Sequence, residues 1–372
     1  MINIAQYFTE EKKGAHLKGV IALLNRKFLH TADIYKIKPK YFFEKRFYKA
    51  LLVNREFLKQ IILATHEEIE YFELSMFYKE HRLFFLLCLP SELRMIEPFC
   101  THLTLESKSL PRELRGKCIE EVSSEVRDTC KKVFDYSSFS KISRAKVYNR
   151  EHWNAYNYLN EFMPKACPYC NIQLITTLEK CIEEDGLHYE MRPALDHFLS
   201  KNKFPFFALT TSNLIPSCKE CNTDLKLEKN FKDPNHINPM GQSFEGNANF
   251  DIQLKDNSNI LQVIDSIYNF GEVDANNVKI LFDTTDSASM QNIRDFNLEN
   301  RYNNHIENVR FFLEKLPKVA KEKIKSYQEL FEIDDFETAL QRFIDHSLNP
   351  EDHKDVIFSI FKRDLISKYC DI

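Results

Sequence analysis

The chain has 372 residues, a net charge of −4 and a 43% hydrophobic content, with 31 Phe and only 7 Gly. That length holds two or three domains with a sizeable core, and the composition excludes a disordered chain. The longest apolar runs, such as residues 83–89, fall far short of the roughly 20 residues of a membrane span; no secretion signal is read at the start, so a cytoplasmic protein is expected.

Residues 1–60 hold 13 Lys/Arg against 5 Asp/Glu, an excess that the remainder of the chain reverses. Such a segment reads either as a basic surface for phosphates or as a solvated helical face. From Tyr41 to about Cys100 apolar residues recur at helical spacing, as in Phe47, Leu51, Phe57, Leu58, Ile61 and Ile62. Residues 1–145 are therefore expected to form a helical N-terminal domain, with the turn-forming stretch 134–141 leading out of it. Residues 146–272 form the next unit. Within it, Ile172–Leu178 and Leu187–His197 are predicted strands, Lys219–Lys229 a helix, and Phe250–Leu254 and Ile260–Ile264 further strands. From about Ala275 the pattern reads as helical again, giving a helical C-terminal region over 273–372. The expected fold class is α+β, a mainly helical protein around a small central module.

The chemistry is concentrated in that module. Cys167-Pro168-Tyr169-Cys170 and Cys218-Lys219-Glu220-Cys221 are two CxxC turns, each of which points two thiolates at one place. Together Cys167, Cys170, Cys218 and Cys221 supply a closed tetrahedral shell for a structural Zn²⁺, with no open position for a reaction. The remaining six cysteines are scattered, and without a secretion signal the set favours metal binding over a disulfide framework. Reactivity then falls to the residues between the turns. His197 has the pKa range of a general base, and its neighbour Asp196 offers a hard oxygen to Mg²⁺ or Mn²⁺. In a strand the two side chains would point to opposite faces, so the pair is expected where a strand ends. Asn222 can add an amide oxygen to the same ion, and Asn213 can brace the loop that carries the histidine. Lys201, Lys203 and Lys226 lie close enough in sequence to touch phosphates, although each also reads as an ordinary surface lysine. His236 and Asn238 read as cleft or plain loop residues.

Taken together, Cys167 to Asn171, Leu195 to Lys201, Phe204-Pro205, Asn213 to Cys218 and Cys221-Asn222 resemble the HNH endonuclease superfamily. The resemblance covers about 75 residues and implies a ββα-metal core on a treble-clef zinc scaffold. It implies that Asp196 and Asn222 hold the catalytic Mg²⁺ or Mn²⁺, that His197 activates water, and that Asn213 braces the site. An asparagine rather than a histidine at Asn222 leans towards these harder ions. The implied activity is hydrolysis of phosphodiester bonds in a nucleic acid, with DNA as the expected target. More weakly, Phe296, Leu298, Arg301, Tyr302 and His305 resemble the flanks of HNH proteins from bacterial antiphage defence, some of which act beside an ABC/SMC-type ATPase. RNA as the target, and a non-catalytic zinc module that docks nucleic acid or a partner protein, are the competing readings.

Overall fold

The computed structural model describes residues 1–28, 37–89, 117–141, 153–162, 164–182, 188–255, 278–316, 321–345, 347 and 349–370. The N-terminal region is helical, with α1 (Glu10–Phe28), α2 (Phe42–Val53), α3 (Arg55–Ile62), α4 (His66–Glu70), α5 (Met76–Glu80), α6 (Arg82–Cys88), α7 (Ile119–Val133) and α8 (Tyr136–Phe139). Local signals set these boundaries. Asn54 caps α3 by accepting from the backbone N–H of Glu56 and Phe57, and Thr65 and Glu68 exchange bonds in a capping box at the start of α4. In α7, Val122, Val126, Cys130 and Val133 are buried, one stripe of a 3.6-residue period, and Ser123 Oγ donates to Leu87 O to tie the helix to α6.

Many of the phenylalanines pack ring against ring. Phe47 stacks on Phe84 at 3.8 Å, and Phe85 meets Phe206 edge-on at 4.9 Å, so the helical region packs directly on the segment around Phe206 and Phe207. Rings of this size carry much of the apolar area that stabilises a fold. The N-terminal helices are thus built against the module that holds the candidate site.

α9 (Ala155–Phe162) leads into the first CxxC turn. Then come β1 (Leu178–Ile182), β2 (His188–Met191), β3 (Ala194–His197), β4 (Leu214–Ser217), a π-helix at Glu220–Lys226, β5 (Asn249–Leu254) and β6 (Val278–Asp283). The strands form three antiparallel pairs, β1 with β2, β3 with β4, and β5 with β6. In the middle pair Asp196 faces Ile215 and His197 faces Leu214. The C-terminal part is helical: α10 (Ser287–Asp295), α11 (Leu298–Asn304), α12 (Ile306–Lys315), α13 (Lys321–Leu330), α14 (Phe336–Ile344) and α15 (Ser359–Tyr369). The protein is therefore α+β and mostly helical. Among the described residues no helix is long and apolar enough to cross a membrane.

Several expected elements differ. Of the predicted strand Ile172–Leu178, Leu174 makes one isolated bridge to Ala166 and only Leu178 enters a strand, β1. The run Leu187–His197 is broken in two at Arg192-Pro193, where proline removes a ladder donor. The predicted helix at Lys219–Lys229 is a π-helix, closed by the Leu227 N–H on Asn222 O. The stretch just after Ala275, predicted helical, holds strand β6: Val278 and Ile280 are buried while Lys279 is exposed, a two-residue period. Pairing with β5 carries this sheet across the boundary expected between 272 and 273. The strand predicted at Ile260–Ile264 lies outside the described residues.

Candidate active site

The four cysteine sulfurs lie within 4.8 Å of one another, all buried. A tetrahedral zinc with bonds of about 2.3 Å spaces its sulfurs by about 3.8 Å, and Cys170 and Cys218 are 3.9 Å apart. The cluster can hold a metal ion such as zinc. Backbone N–H groups of Ile172, Cys218 and Cys221 approach the sulfurs of Cys170, Cys167 and Cys218 at 3.4 Å each, and Arg301 Nη1 donates to Cys221 Sγ at 3.2 Å. With a Zn²⁺ bound, these donors would offset the negative charge that four thiolates leave on the centre. The turn also anchors the C-terminal helices. Asn171, in the left-handed region at φ 54°, accepts on its side-chain oxygen from Ser359 Oγ and the Ile360 N–H, and Tyr302 Oη donates to Cys170 O at 2.8 Å.

From the sulfurs the chain runs to a cleft of about 260 Å³ whose walls include Tyr136, Arg192, Asp196, His197, Lys201, Asn222 and Lys226. Asp196 and His197 are the last two residues of β3, the strand-end position expected for them, and both line this cleft. His197 Nε2 lies 3.1 Å from Ala208 O. A carbonyl only accepts, so Nε2 carries the proton and Nδ1 keeps a lone pair. Among the described residues Nδ1 takes no hydrogen-bond partner. Burial, reinforced by the charge of Lys201 and then Lys226, holds the imidazole down at about 3. Tyr136 presents its ring edge-on to His197 at 4.4 Å and donates its hydroxyl to Leu195 O at 3.2 Å.

Asn213 ties the loop that follows His197 to itself. Its Oδ1 accepts from the Leu199 N–H at 2.6 Å, and its Nδ2 donates to Leu199 O and Phe207 O at 3.1 and 2.9 Å. One side chain thereby closes the loop between the histidine and its carbonyl anchor. Because each stranded buried group costs on the order of 1–3 kcal/mol, Asn213→Ala is expected to lower unfolding stability by at least ~2 kcal/mol in urea titration. A loss below ~0.5 kcal/mol would show that the brace bears no load.

The same loop is held from the N-terminal side. His16 Nε2 donates to Leu209 O at 2.8 Å while its Nδ1 accepts from Trp153 Nε1 at 3.0 Å, and Thr210 Oγ1 donates to Ile61 O. Burial holds His16 at about 4. Both His16 and His197 are thus neutral when folded and titrate near 6.5 when unfolded, so their stabilising effect is present above pH 6.5 and is lost as pH falls towards 4 and 3. Each is expected to lower unfolding free energy by roughly 2 kcal/mol between pH 7 and 5, with a limiting slope of about 1.4 kcal/mol per pH unit. Urea midpoints at pH 7 and 5, with zinc content followed in parallel, measure this; coincident midpoints would contradict it.

Asp196 departs from the expected arrangement. Its Oδ2 accepts from Tyr169 Oη at 2.6 Å and its Oδ1 is 3.0 Å from Lys226 Nζ, which also donates to His197 O at 2.6 Å. Lys226 is neither a surface lysine nor an outward phosphate contact; its side chain is 1% exposed. Asn222 is half-buried on the cleft wall, and among the described residues its amide has no hydrogen-bond partner. As arranged, the carboxylate expected to bind a divalent ion has its charge met by an ammonium, and the pair does not fit an ion without rearrangement. Lys201 lies exposed over the Tyr136 ring at 5.1 Å, whereas Lys203 is exposed and does not line the cleft. His236 is buried in a loop, stacked on Phe231 and bonded to Asp295, outside the cleft, and Asn238 donates to Ser212 O.

Sequence reasoning missed Tyr136, Tyr169 and Arg192 as neighbours of the site. Tyr169 was legible as a ring inside the CxxC turn; the other two come from segments whose proximity only the fold creates. Comparison of the chain with protein-family models, with curated proteins and with solved structures finds no match.

Proposed function

We propose that this cleft hydrolyses phosphodiester bonds in nucleic acid, with DNA as the substrate, in the manner of an HNH endonuclease built on a structural zinc site. The observation that carries the reading is His197: a neutral imidazole, tied back through Nε2 to Ala208 O, in a cleft whose walls include Arg192 and Lys201. Nδ1 takes the proton from an attacking water. Lys201 and Arg192 attract the phosphate, and Asn213 fixes the loop so that the base keeps its place. A divalent ion such as Mg²⁺ or Mn²⁺, which the resemblance implies on Asp196 and Asn222, would supply charge neutralisation at the phosphate only once Lys226 had left the carboxylate. The four cysteines hold the frame and take no part in the reaction. A role in antiphage defence beside an ATPase partner belongs to the same proposal, supported by the sequence resemblance alone.

The test is incubation of plasmid with the purified protein and Mg²⁺ or Mn²⁺, beside His197→Ala. Cleavage by the parent and not by the variant supports the reading; equal cleavage by both overturns it. The Lys226–Asp196 pair favours one second reading, a closed and non-catalytic zinc module that only binds nucleic acid or a partner. It predicts binding without cleavage under every metal condition.

A further inference from the structure

Lys226 stands four residues after Asn222 on the π-helix, about one turn along it, and both side chains line the same cleft. The ammonium sits between Asp196 Oδ1 at 3.0 Å and His197 O at 2.6 Å, and lies 4.8 Å from the Phe231 ring centre. All three are favourable seats for a cation, and burial excludes the water that would weaken them. Asn222, with its unpaired amide, lies on the wall of the same cleft. The two expected ligands are therefore present together, but one is already claimed by a charge of the sign an incoming ion would carry.

We infer that Lys226 is the resident cation of this cleft and sets its affinity for divalent ions, which reach Asp196 and Asn222 only when the ammonium leaves the carboxylate. An ammonium and a dication cannot share one carboxylate in a water-poor site without strong mutual repulsion. Lysine can leave, because its four-carbon stem is flexible and its charge needs only another anion as a partner. A phosphate entering the cleft is such an anion. Phosphate binding and ion binding then favour one another, and by linkage the effect is reciprocal. This inference rests on the reading of Asp196 and Asn222 as cation ligands.

The experiment measures Mn²⁺ binding by electron paramagnetic resonance, on zinc-loaded protein without any substrate, for the parent, Lys226→Met, Lys226→Gln and Lys226→Met combined with Asp196→Asn. The parent is expected to bind Mn²⁺ weakly, and each single variant at least tenfold more tightly, with the gain abolished by Asp196→Asn. Micromolar binding by the parent overturns the inference with no variant needed, as does a single variant that gains nothing or a gain that survives Asp196→Asn. Zinc content and melting curves identify a variant that fails to fold. Lys226→Gln retains a donor for His197 O and decides the case if Lys226→Met is lost; if neither folds, the parent's affinity decides it. Because no cleavage is measured and His197 is untouched, failure here is distinguishable from failure of the hydrolase reading.

Discussion

On the proposed hydrolase reading, replacing His197 by alanine is expected to lower plasmid cleavage by about 10²–10⁴-fold, the usual effect of removing a positioned general base. The size follows from geometry. Nε2 is committed to Ala208 O, so proton acceptance falls to Nδ1 alone, and among the residues that wall the cleft no other neutral base is present. The free-state pKa of about 3 makes the imidazole a weak acceptor, and its causes show how substrate corrects this. Burial comes first, and the positive charges of Lys201 and Lys226 follow. In the proposed reaction an anionic phosphate paired with those lysines would offset their part of the shift and favour the imidazolium. The pH profile of kcat/KM, which reports the free enzyme, is therefore expected to show no loss from His197 protonation between pH 5.5 and 8. A falling acid limb near 6.5 that vanishes in His197→Ala would contradict the buried, neutral histidine. Zinc content and the melting curve of the variant separate lost chemistry from lost fold.

Much of this site was legible because its signals are local. A CxxC turn brings its own two thiols together whatever the rest of the chain does, and the four sulfurs do converge. The demand that Asp196 and His197 occupy a strand end also came from one fact, the two-residue period of a strand. Asn213 sits fourteen residues beyond Leu199 and still bonds it on both sides, since a buried asparagine in a turn has donors and acceptor to satisfy. The failures share a cause as well. Lys226 is a lysine in a charged run, Lys219 to Lys229, and sequence alone cannot show that a tertiary carboxylate and a carbonyl wait for it. Strand β6 has alternating burial, but its helical neighbours mask a six-residue signal, and its pairing partner β5 is a distant segment. Tyr136 approaches His197 only because α8 packs on β3, a contact across some sixty residues of chain.

If the four cysteines hold zinc as proposed, Cys218→Ser or treatment with a chelator is expected to have the largest effect on the fold. Structural zinc in small domains contributes roughly 10–16 kcal/mol, comparable with the whole stability of a typical protein at about 5–15 kcal/mol. The loss would not stop at the cysteines. Arg301 would lose its thiolate partner, Tyr302 the placement of Cys170 O, and Asn171 the turn that seats the start of α15. Phe296, stacked on Tyr169 at 4.6 Å, belongs to the same joint. Cys218 also follows β4 directly, so its release frees the strand that pairs with Asp196 and His197. By contrast, the contacts of Phe47 with Phe84 and Phe57 lie within α2, α3 and α6, and Phe85 on Phe206 joins α6 to the module at a point away from the sulfurs' own turns. Unfolding is therefore expected in two steps, with hydrogen exchange accelerating across residues 164–231, α11 and α15 while α2 and α6 keep their protection. A Cys218→Ser protein with full zinc content and an unchanged melting curve would show that the four-cysteine site does not bind the metal, and uniform exchange across the whole chain would show that the N-terminal core depends on it too.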